Sequence, residues 1–386
     1  MKSIYLDHAA TTYVYPEVWE SMLPYQWDHF GNASSIHQFG RSARLTVENA
    51  RESIAQCLKC DTSSLIFTSG ATESINSSLF GVAFAHMDQK PHIIISAIEH
   101  QAVIQTAAQL SRLGATITVI PVNSQGFVEL EQLKQAVTDR TLMICVMAGN
   151  NEVGTLQSIA QIGHFAREKG IYFLVDAVQA LGWIPIEIDQ LPVDMMAFSA
   201  HKIHGPKGIG LLYLSRNVKL LPHLYGGSQE RKRRAGTENV PSIVGFSTAV
   251  QMVIQQREQR TSYVKALRDE LLQKLKDKIG SADVIYNGHS TNTLPHILNV
   301  SFPWMETETM LMNLDLAGIA VASGSACSSG SFEPSHVLKA MNLEKHIMNS
   351  AIRFSFAESN TTEEIDQVVQ VIASIYERCK QRVRKG

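Results

Sequence analysis

Ala197-Phe198-Ser199-Ala200-His201-Lys202-Ile203-His204-Gly205-Pro206-Lys207-Gly208 decides how the rest of the chain is read. Met195 to Phe198 is a short apolar run, the pattern of a buried strand. It stops in a Ser/His/Lys cluster, then in Gly-Pro and Lys-Gly turn signals. A lysine just past a buried strand end has two readings. It can be an ordinary solvated loop residue, as most lysines are. It can also be held partly out of water, with a neutral amine able to form a Schiff base.

Outward from that stretch, strand and helix patterns alternate. Strands are expected at Leu65–Thr68, Ile93–Ser96, Ala115–Val122, Leu142–Met147, Ile171–Val175, Asp194–Phe198 and Gly210–Leu214. Between them, helical patterns run from near Ala71, over Gln101–Arg112, near Glu129–Val137 and over Ile159–Lys169. An amphipathic helix over Arg41–Leu58 precedes them, with Ala43, Val47, Ala50, Ile54 and Leu58 at helical spacing. Residues 1 to 38 read as irregular, rich in small and polar residues. This alternation predicts an α/β fold with a mostly parallel central sheet and helices on both faces. In such sheets ligands sit at the carboxyl ends of the strands. Polar clusters fall there five times: Ser69-Gly70, Glu99-His100, Asn150-Asn151, Asp176 to Gln179 and Ser199 to Lys202.

After about residue 255 the texture changes. A long charged helix over Thr261–Ile279 carries Val264, Leu267, Leu271 and Leu275 on one face. Strand patterns at His296–Phe302 and Ala351–Phe356 and helices at Glu306–Leu316, Ser335–Met341 and Glu363–Arg378 follow. This reads as a smaller α+β domain.

Composition sets the class. The 386 residues are 45% hydrophobic and 18% charged, with a formal net charge of -2. That balance suits a soluble globular enzyme and gives no reason to expect nucleic acid or an anionic membrane as main ligand. The basic run Arg231-Lys232-Arg233-Arg234 is a local exception, of a kind usually solvated. No stretch approaches a membrane span, and MKSIYLDHAATT lacks the apolar core of a signal peptide, so a cytoplasmic location is expected. Five scattered cysteines do not form a disulfide framework. Cys57 and Cys60 have CxxC spacing but no second pair and no nearby His pair, so no metal is expected. Cys145 reads as core.

Five features carry chemistry. Thr68-Ser69-Gly70-Ala71-Thr72-Glu73 joins a strand to a helix, which suits a phosphate at the positive helix end. The plainer reading is an N-cap supplied by Ser69 or Thr72. Asp176 at a strand end could be a capping carboxylate, or could hold a protonated ring nitrogen. A phosphate loop, a strand-end Asp and a strand-end Lys are the parts a pyridoxal phosphate site needs. His100 could stack on such a ring or carry protons. Cys327 sits in Ala322-Ser323-Gly324-Ser325-Ala326-Cys327-Ser328-Ser329-Gly330-Ser331, a loop without bulky side chains. Cysteines are usually buried, and this setting instead predicts an exposed, nucleophilic thiol. Arg353 interrupts an apolar strand and needs a carboxylate partner, structural or from a substrate.

The motifs FGNASSIH, SGATESIN, EHQAV, NNEVGT, VDAVQA, SAHKIHGPKGIG, RAGTEN, SGSACSSG and IRFS, together with YLDHAATT, resemble those of the cysteine desulfurases, pyridoxal-phosphate-dependent enzymes of the class-V aminotransferase-like family. The resemblance implies a fold-type I transferase. Its large cofactor-binding domain would span 15–255. Its small domain, 1–14 and 256–386, would carry the Cys327 loop. It implies pyridoxal 5'-phosphate on Lys202, with His100 stacked on the ring and moving protons. Asp176 would pair with the ring N–H, and Gln179 with the phenolic oxygen. Ala71, Thr72, Ser199 and His201 would hold the phosphate. Thr237 would reach the phosphate of the other subunit of a homodimer. Asn151 and Arg353 would bind the carboxylate of L-cysteine, with Asn32 nearby. Cys327 would take the sulfur as a persulfide and pass it to an acceptor protein, an iron–sulfur scaffold or a tRNA thiolase. The long SGSAC loop resembles the subgroup serving those acceptors.

The chain departs from the family's usual pattern at Ala33, where Pro is usual, and at Ser228, where Gly is usual. Phe356-Ala357-Glu358-Ser359-Asn360 lacks the usual Leu-Gly-Arg. Two other functions compete with the desulfurase. A related lyase acting on selenocysteine or cysteine sulfinate would tolerate loss of Cys327. A catalytically weak docking module for sulfur acceptors would bind no cofactor.

Overall fold

Seven short strands pair into one sheet: β1 (Leu65–Thr68), β2 (His92–Ser96), β3 (Thr116–Ile120), β4 (Thr141–Cys145), β5 (Tyr172–Asp176), β6 (Met195–Ser199) and β7 (Gly210–Leu214). The spatial order is β1-β7-β6-β5-β4-β2-β3. Every pairing is parallel except those of β7, which runs antiparallel to both neighbours. The computed structural model describes residues 3–324 and 334–385, so Cys327 lies outside the described residues. β2 and β6 are buried at every residue, as parallel strands covered on both faces must be. Edge strand β3 is the exception, with Thr116 and Val119 exposed.

The helices α1 (Gln38–Leu58), α2 (Ala71–Ala85) and α3 (Gln101–Arg112) lie where apolar periodicity puts them. The His37 ring accepts the Gly40 N–H at the start of α1, and Lys59 ends it in a left-handed conformation with φ 52°. Several described helices escape the periodic reading, Pro16–Met22 and Val240–Gln255 being the longest. Pro16–Met22 lies in a segment expected to be irregular; Pro at its first position supplies the start signal. Val240–Gln255 buries nine residues distributed around its surface, so no single apolar stripe marks it. Residues 4 and 5 also leave the irregular class, because Ile4–Tyr5 pairs in parallel with Ile319–Ala320.

Beyond residue 255 a three-stranded antiparallel sheet forms from β8 (Ile285–Asn287), β9 (Ile297–Ser301) and β10 (Ala351–Ser355), with β9 central. Helices Arg257–Ile279 and Thr362–Lys385 accompany it. Val264, Leu267, Leu271 and Leu275 are all buried in one cluster with Phe354 and Ile365, and Ile4, Leu6 and Ala9 from the chain start join it. The main sheet has its own clusters on its two faces. The segment from Leu6 to Thr12 links the two sheets. Ser355 N–H donates to Leu6 O (2.7 Å), and Thr12 N–H donates to His201 O (2.9 Å) beside the lysine. No helix among the described residues is long and apolar enough to cross a membrane.

Candidate active site

The polar strand ends meet in one cleft of about 1370 Å³. Ser69 to Glu73, His100, Asn151, Asp176, Gln179, Ser199, His201, Lys202 and Arg353 all line it. Asn32 and Thr237 do not; both are exposed elsewhere on this chain.

Lys202 ends a short helical turn, Ala200–Lys202, that follows β6. Its Nζ donates to Ala9 O (2.5 Å) and Ala10 O (2.8 Å). Burial in the cleft wall and the nearby Arg353 charge push its amine down from 10.5 to about 8, although Asp176 and Asp7 pull the other way. Lys202 is half-buried, and the direction of this shift favours the desolvated reading over the solvated-loop one.

Asp176 closes β5 with 6% exposure. Its Oδ1 accepts the Val178 N–H (3.0 Å). Burial raises its carboxyl, and the neighbouring His100 and Lys202 charges lower it. His100 is the N-cap of α3: its Nδ1 accepts the Ala102 N–H (3.1 Å), so a neutral ring carries its proton on Nε2. Desolvation within the cleft lowers its pKa. His201 Nδ1 faces Thr11 Oγ1 (3.2 Å), and burial with Lys202 and Lys207 nearby pushes this ring down to about 4.

The helix α2 starts without any side-chain cap. Gly70 is its N-cap, not Ser69 or Thr72, and the Glu73 carboxylate instead accepts the Ser69 N–H (2.7 Å). First-turn amides of α2 are thus left without a side-chain partner at the cleft wall. Gly210, opening β7, permits this approach. A Cβ there would stand 2.6 Å from Gly70 Cα and 2.8 Å from Phe198 O.

Arg353 is 5% exposed on β10. Its Nη2 pairs with Asp7 Oδ1 (2.7 Å) and its Nη1 donates to Asn151 O (2.9 Å), while its buried Nε has no partner among the described residues. The structural carboxylate is Asp7. Sequence reading left the partner of Arg353 open; the bridge between Asp7 and Ser355 brings this carboxylate beside β10. In the sequence Glu99 reads only as part of a polar strand end, not as a buried acid. It is fully buried under the cleft, takes hydrogen bonds from Ser96 Oγ (2.5 Å) and Met147 N–H (2.9 Å), and burial pushes its carboxyl up to about 8. Glu152 is buried too and bonds Ser335 Oγ. Gly324 and Pro334, which flank the Cys327 segment in sequence, both line the cleft.

The basic run is tethered at three of its four residues, although Arg231 and Lys232 remain exposed. Arg234 forks onto Glu73 (2.8 and 3.1 Å), Arg233 donates to Ser63 O (2.8 Å) and Arg231 to Thr62 O (3.2 Å). Glu230 just before it is buried, bidentate with Arg51 (2.7 and 2.9 Å), and accepts the Phe67 N–H (2.9 Å). The segment leading to Thr237 is thus clamped to the edge of the sheet and to the turn at Ser69.

The class-V aminotransferase family pattern matches residues 4–368. The chain belongs to that family. Among its relatives, the cysteine desulfurase IscS of Dictyoglomus turgidum is 43% identical over 379 residues, covering 98% of this chain and 96% of that protein. The putative cysteine desulfurase IscS 1 of Bacillus subtilis is 45% identical, covering 98% and 100%. Among solved structures, a NifS-like protein superposes with a TM-score of 0.91 at 37% identity, covering 97% of this chain and 99% of that one.

This family works with pyridoxal 5'-phosphate, and the cleft of this member fits that group. The uncapped start of α2 offers amides and a positive dipole end to a phosphate. The buried Asp176 has an oxygen without a bond from any described residue, suited to a protonated ring nitrogen. The Lys202 amine stands in the same cleft. Cys57, Cys60 and Cys145 are free thiols, and burial pushes Cys60 up to about 12, which suits neither metal nor redox work. No cluster among the described residues could hold a metal ion.

Proposed function

We propose that the protein is a cysteine desulfurase that removes sulfur from L-cysteine and leaves L-alanine. The observation that carries this reading is the depressed lysine Lys202 beside Asp176, in a chain alike along its length to named desulfurases. A solved relative, 34% identical with a TM-score of 0.81, is titled SspA in complex with cysteine.

Pyridoxal phosphate, when bound, supplies an electron sink that acidifies the Cα–H of the substrate. The chain does the rest. Amides of Ala71 and Thr72, with Ser199 and His201, would hold the phosphate end, and Asp176 would hold the ring nitrogen. Gln179 would donate to the phenolic oxygen. The Arg353 guanidinium, backed by Asp7, and Asn151 orient the substrate carboxylate. Lys202, with an amine near pKa 8, is partly neutral at working pH and takes the Cα proton. His100, with Nδ1 spent on its helix cap, offers Nε2 for proton transfer. The Cys327 thiolate attacks the substrate sulfur. The Cβ–S bond breaks with its electron pair going to carbon, Cβ gains a proton, Lys202 returns a proton to Cα to complete alanine, and Cys327 keeps a persulfide. Gly324 and Pro334, on either side of Cys327 in sequence, line the cleft, which supports this assignment.

The persulfide would serve an acceptor for iron–sulfur assembly or tRNA thiolation, in the cytoplasm. A homodimer is part of the proposal, with Thr237 completing the partner's phosphate site. An exposed apolar tract supports it: Trp19, Trp27, Phe30, Ile36 and Phe39 are each more than half exposed. Gln229 ties the Thr237 segment to this tract through Ser34 (3.3 Å). The hydrophobic clusters fall mostly along the proposed division into 15–255 and 1–14 with 256–386, although Val337, Leu338, Met341 and Ala351 pack with the large domain and Trp183 with the small one.

The test is an absorption spectrum of the purified protein, before and after L-cysteine, beside Lys202→Ala and Cys327→Ser. A visible cofactor band that shifts with cysteine, absent from Lys202→Ala, is expected. Cys327→Ser keeps the band and loses sulfide release. No band after adding pyridoxal phosphate would overturn the reading, and near-normal turnover in Cys327→Ser would overturn the sulfur-transfer step.

A further inference from the structure

We propose that His296 is a positioning residue that fixes the amide of Gln179 against the cofactor ring. The inference rests on the pyridoxal-phosphate reading above. His296 lies one residue before β9, on the far side of Gln179 from the cleft wall, and is 2% exposed. Its Nε2 is 3.1 Å from Gln179 Oε1. Its ring lies flat on Trp183, with centroids 4.4 Å apart and planes 13° apart, and the Arg260 guanidinium sits over the same indole (4.5 Å). Stacking fixes the ring plane and leaves the imidazole one direction in which to bond.

Hydrogen-bond logic then fixes every role. Ala9 O can only accept, so the Gln179 end that meets it (2.9 Å) is the NH2 group. Oε1 is therefore the end facing His296. An amide oxygen only accepts, so His296 carries its proton on Nε2, and Nδ1, which has no partner, is a bare lone pair. Burial and the charges of Arg260, Arg353 and Arg268, with His8 close by, keep the ring neutral. The same Ala9 carbonyl accepts Lys202 Nζ (2.5 Å). His296, Gln179, Ala9 and Lys202 thus form one bonded series. One Gln179 N–H is spent on Ala9. The other has no partner among the described residues, and Gln179 lines the cleft. That second N–H is the donor for the phenolic oxygen, and His296 holds it on aim from behind.

The experiment uses the full-length, cofactor-loaded enzyme and reads the pH midpoint of its visible absorption band, a property separate from turnover. His296→Phe keeps the stack on Trp183 and removes the donor. His296→Gln restores an N–H at the reach of Nε2. A donor on the phenolic oxygen competes with the proton on the Lys202 nitrogen for the same electron density. Losing its aim raises the midpoint by about half to one pH unit, a three- to tenfold change in proton affinity. The expected result is that shift in His296→Phe and a wild-type midpoint in His296→Gln. Equal midpoints in wild type and His296→Phe would overturn the proposal, as would the same shift in both variants, which would make packing the cause. If His296→Phe does not fold, His296→Gln decides alone: an unchanged midpoint supports the role and a shifted one overturns it. Absence of the band in the wild type would instead sink the cofactor reading itself.

Discussion

Replacing Lys202 by Met in the cofactor-free protein changes how stability depends on pH, and the sign follows from the cleft. The folded Lys202 amine lies at about 8, against 10.5 for the exposed group, because burial and Arg353 oppose its charge. Below pH 8 both folded and unfolded chains hold this proton, and the full cost of a buried charge is present. As pH rises from 8 towards 10.5 the folded chain releases the proton first, the unfolded chain binds more, and stability rises. The methionine variant lacks this group, so the wild type gains on it between pH 7 and pH 9.5. At about 1.4 kcal/mol per pH unit the gain is about 2 kcal/mol, and screening by water in the open cleft brings it to about 1–2 kcal/mol. The hydrogen bonds to Ala9 O and Ala10 O add an offset of their own, which the comparison across pH largely removes. Urea unfolding of both proteins at pH 7, 8, 9 and 9.5, followed by circular dichroism, measures the difference. Curves that stay parallel across that range would refute the claim that Lys202 is a desolvated amine.

Two further changes test the scaffold of the site. Glu230→Ala leaves the Arg51 guanidinium buried, at 3% exposure, without its bidentate partner and with only the half-exposed Glu48 (3.3 Å) as a carboxylate, and it removes the anchor of a left-handed run at 230–232 with φ of 44°, 57° and 64°. It should cost about 3–5 kcal/mol in urea unfolding, and a loss below about 1 kcal/mol would contradict the clamp. Gly210→Ala puts a Cβ 2.6 Å from the Gly70 backbone, which no rotamer change relieves. At about 1–3 kcal/mol of overpacking on the phosphate turn, pyridoxal phosphate affinity should fall about tenfold or more in equilibrium dialysis. Unchanged affinity would mean the turn at Gly70 does not hold the phosphate.

The sheet was legible because its strands are apolar runs bounded by polar clusters, and β7 at Gly210–Leu214 matches the sequence reading at both ends. Val240–Gln255 was not, because a helix buried nearly all round has no stripe to read. In the site, Lys202, Asp176 and Arg353 stood out as charged groups in apolar settings. What held them did not. Asp7 lies 346 residues from Arg353, and Glu73 lies 161 residues from Arg234. Long-range pairing of this kind has no local signature, so the basic run looked solvated and His296 looked like the edge of a strand.

The start of α2 shows why the site and the local rules part company. Sequence rules ask for Ser69 or Thr72 to cap that helix. A capping side chain would have consumed an amide that a phosphate needs. The structure instead has Gly70 at the cap, and Glu73 turns back to bind the Ser69 N–H outside the helix. Arg234 holds Glu73 in that position, so its carboxylate charge is matched by a guanidinium beside the proposed phosphate site. The apparent defect at the helix start and the tethered basic run are therefore parts of one arrangement. Each leaves a local preference unmet so that a donor stays available in the cleft.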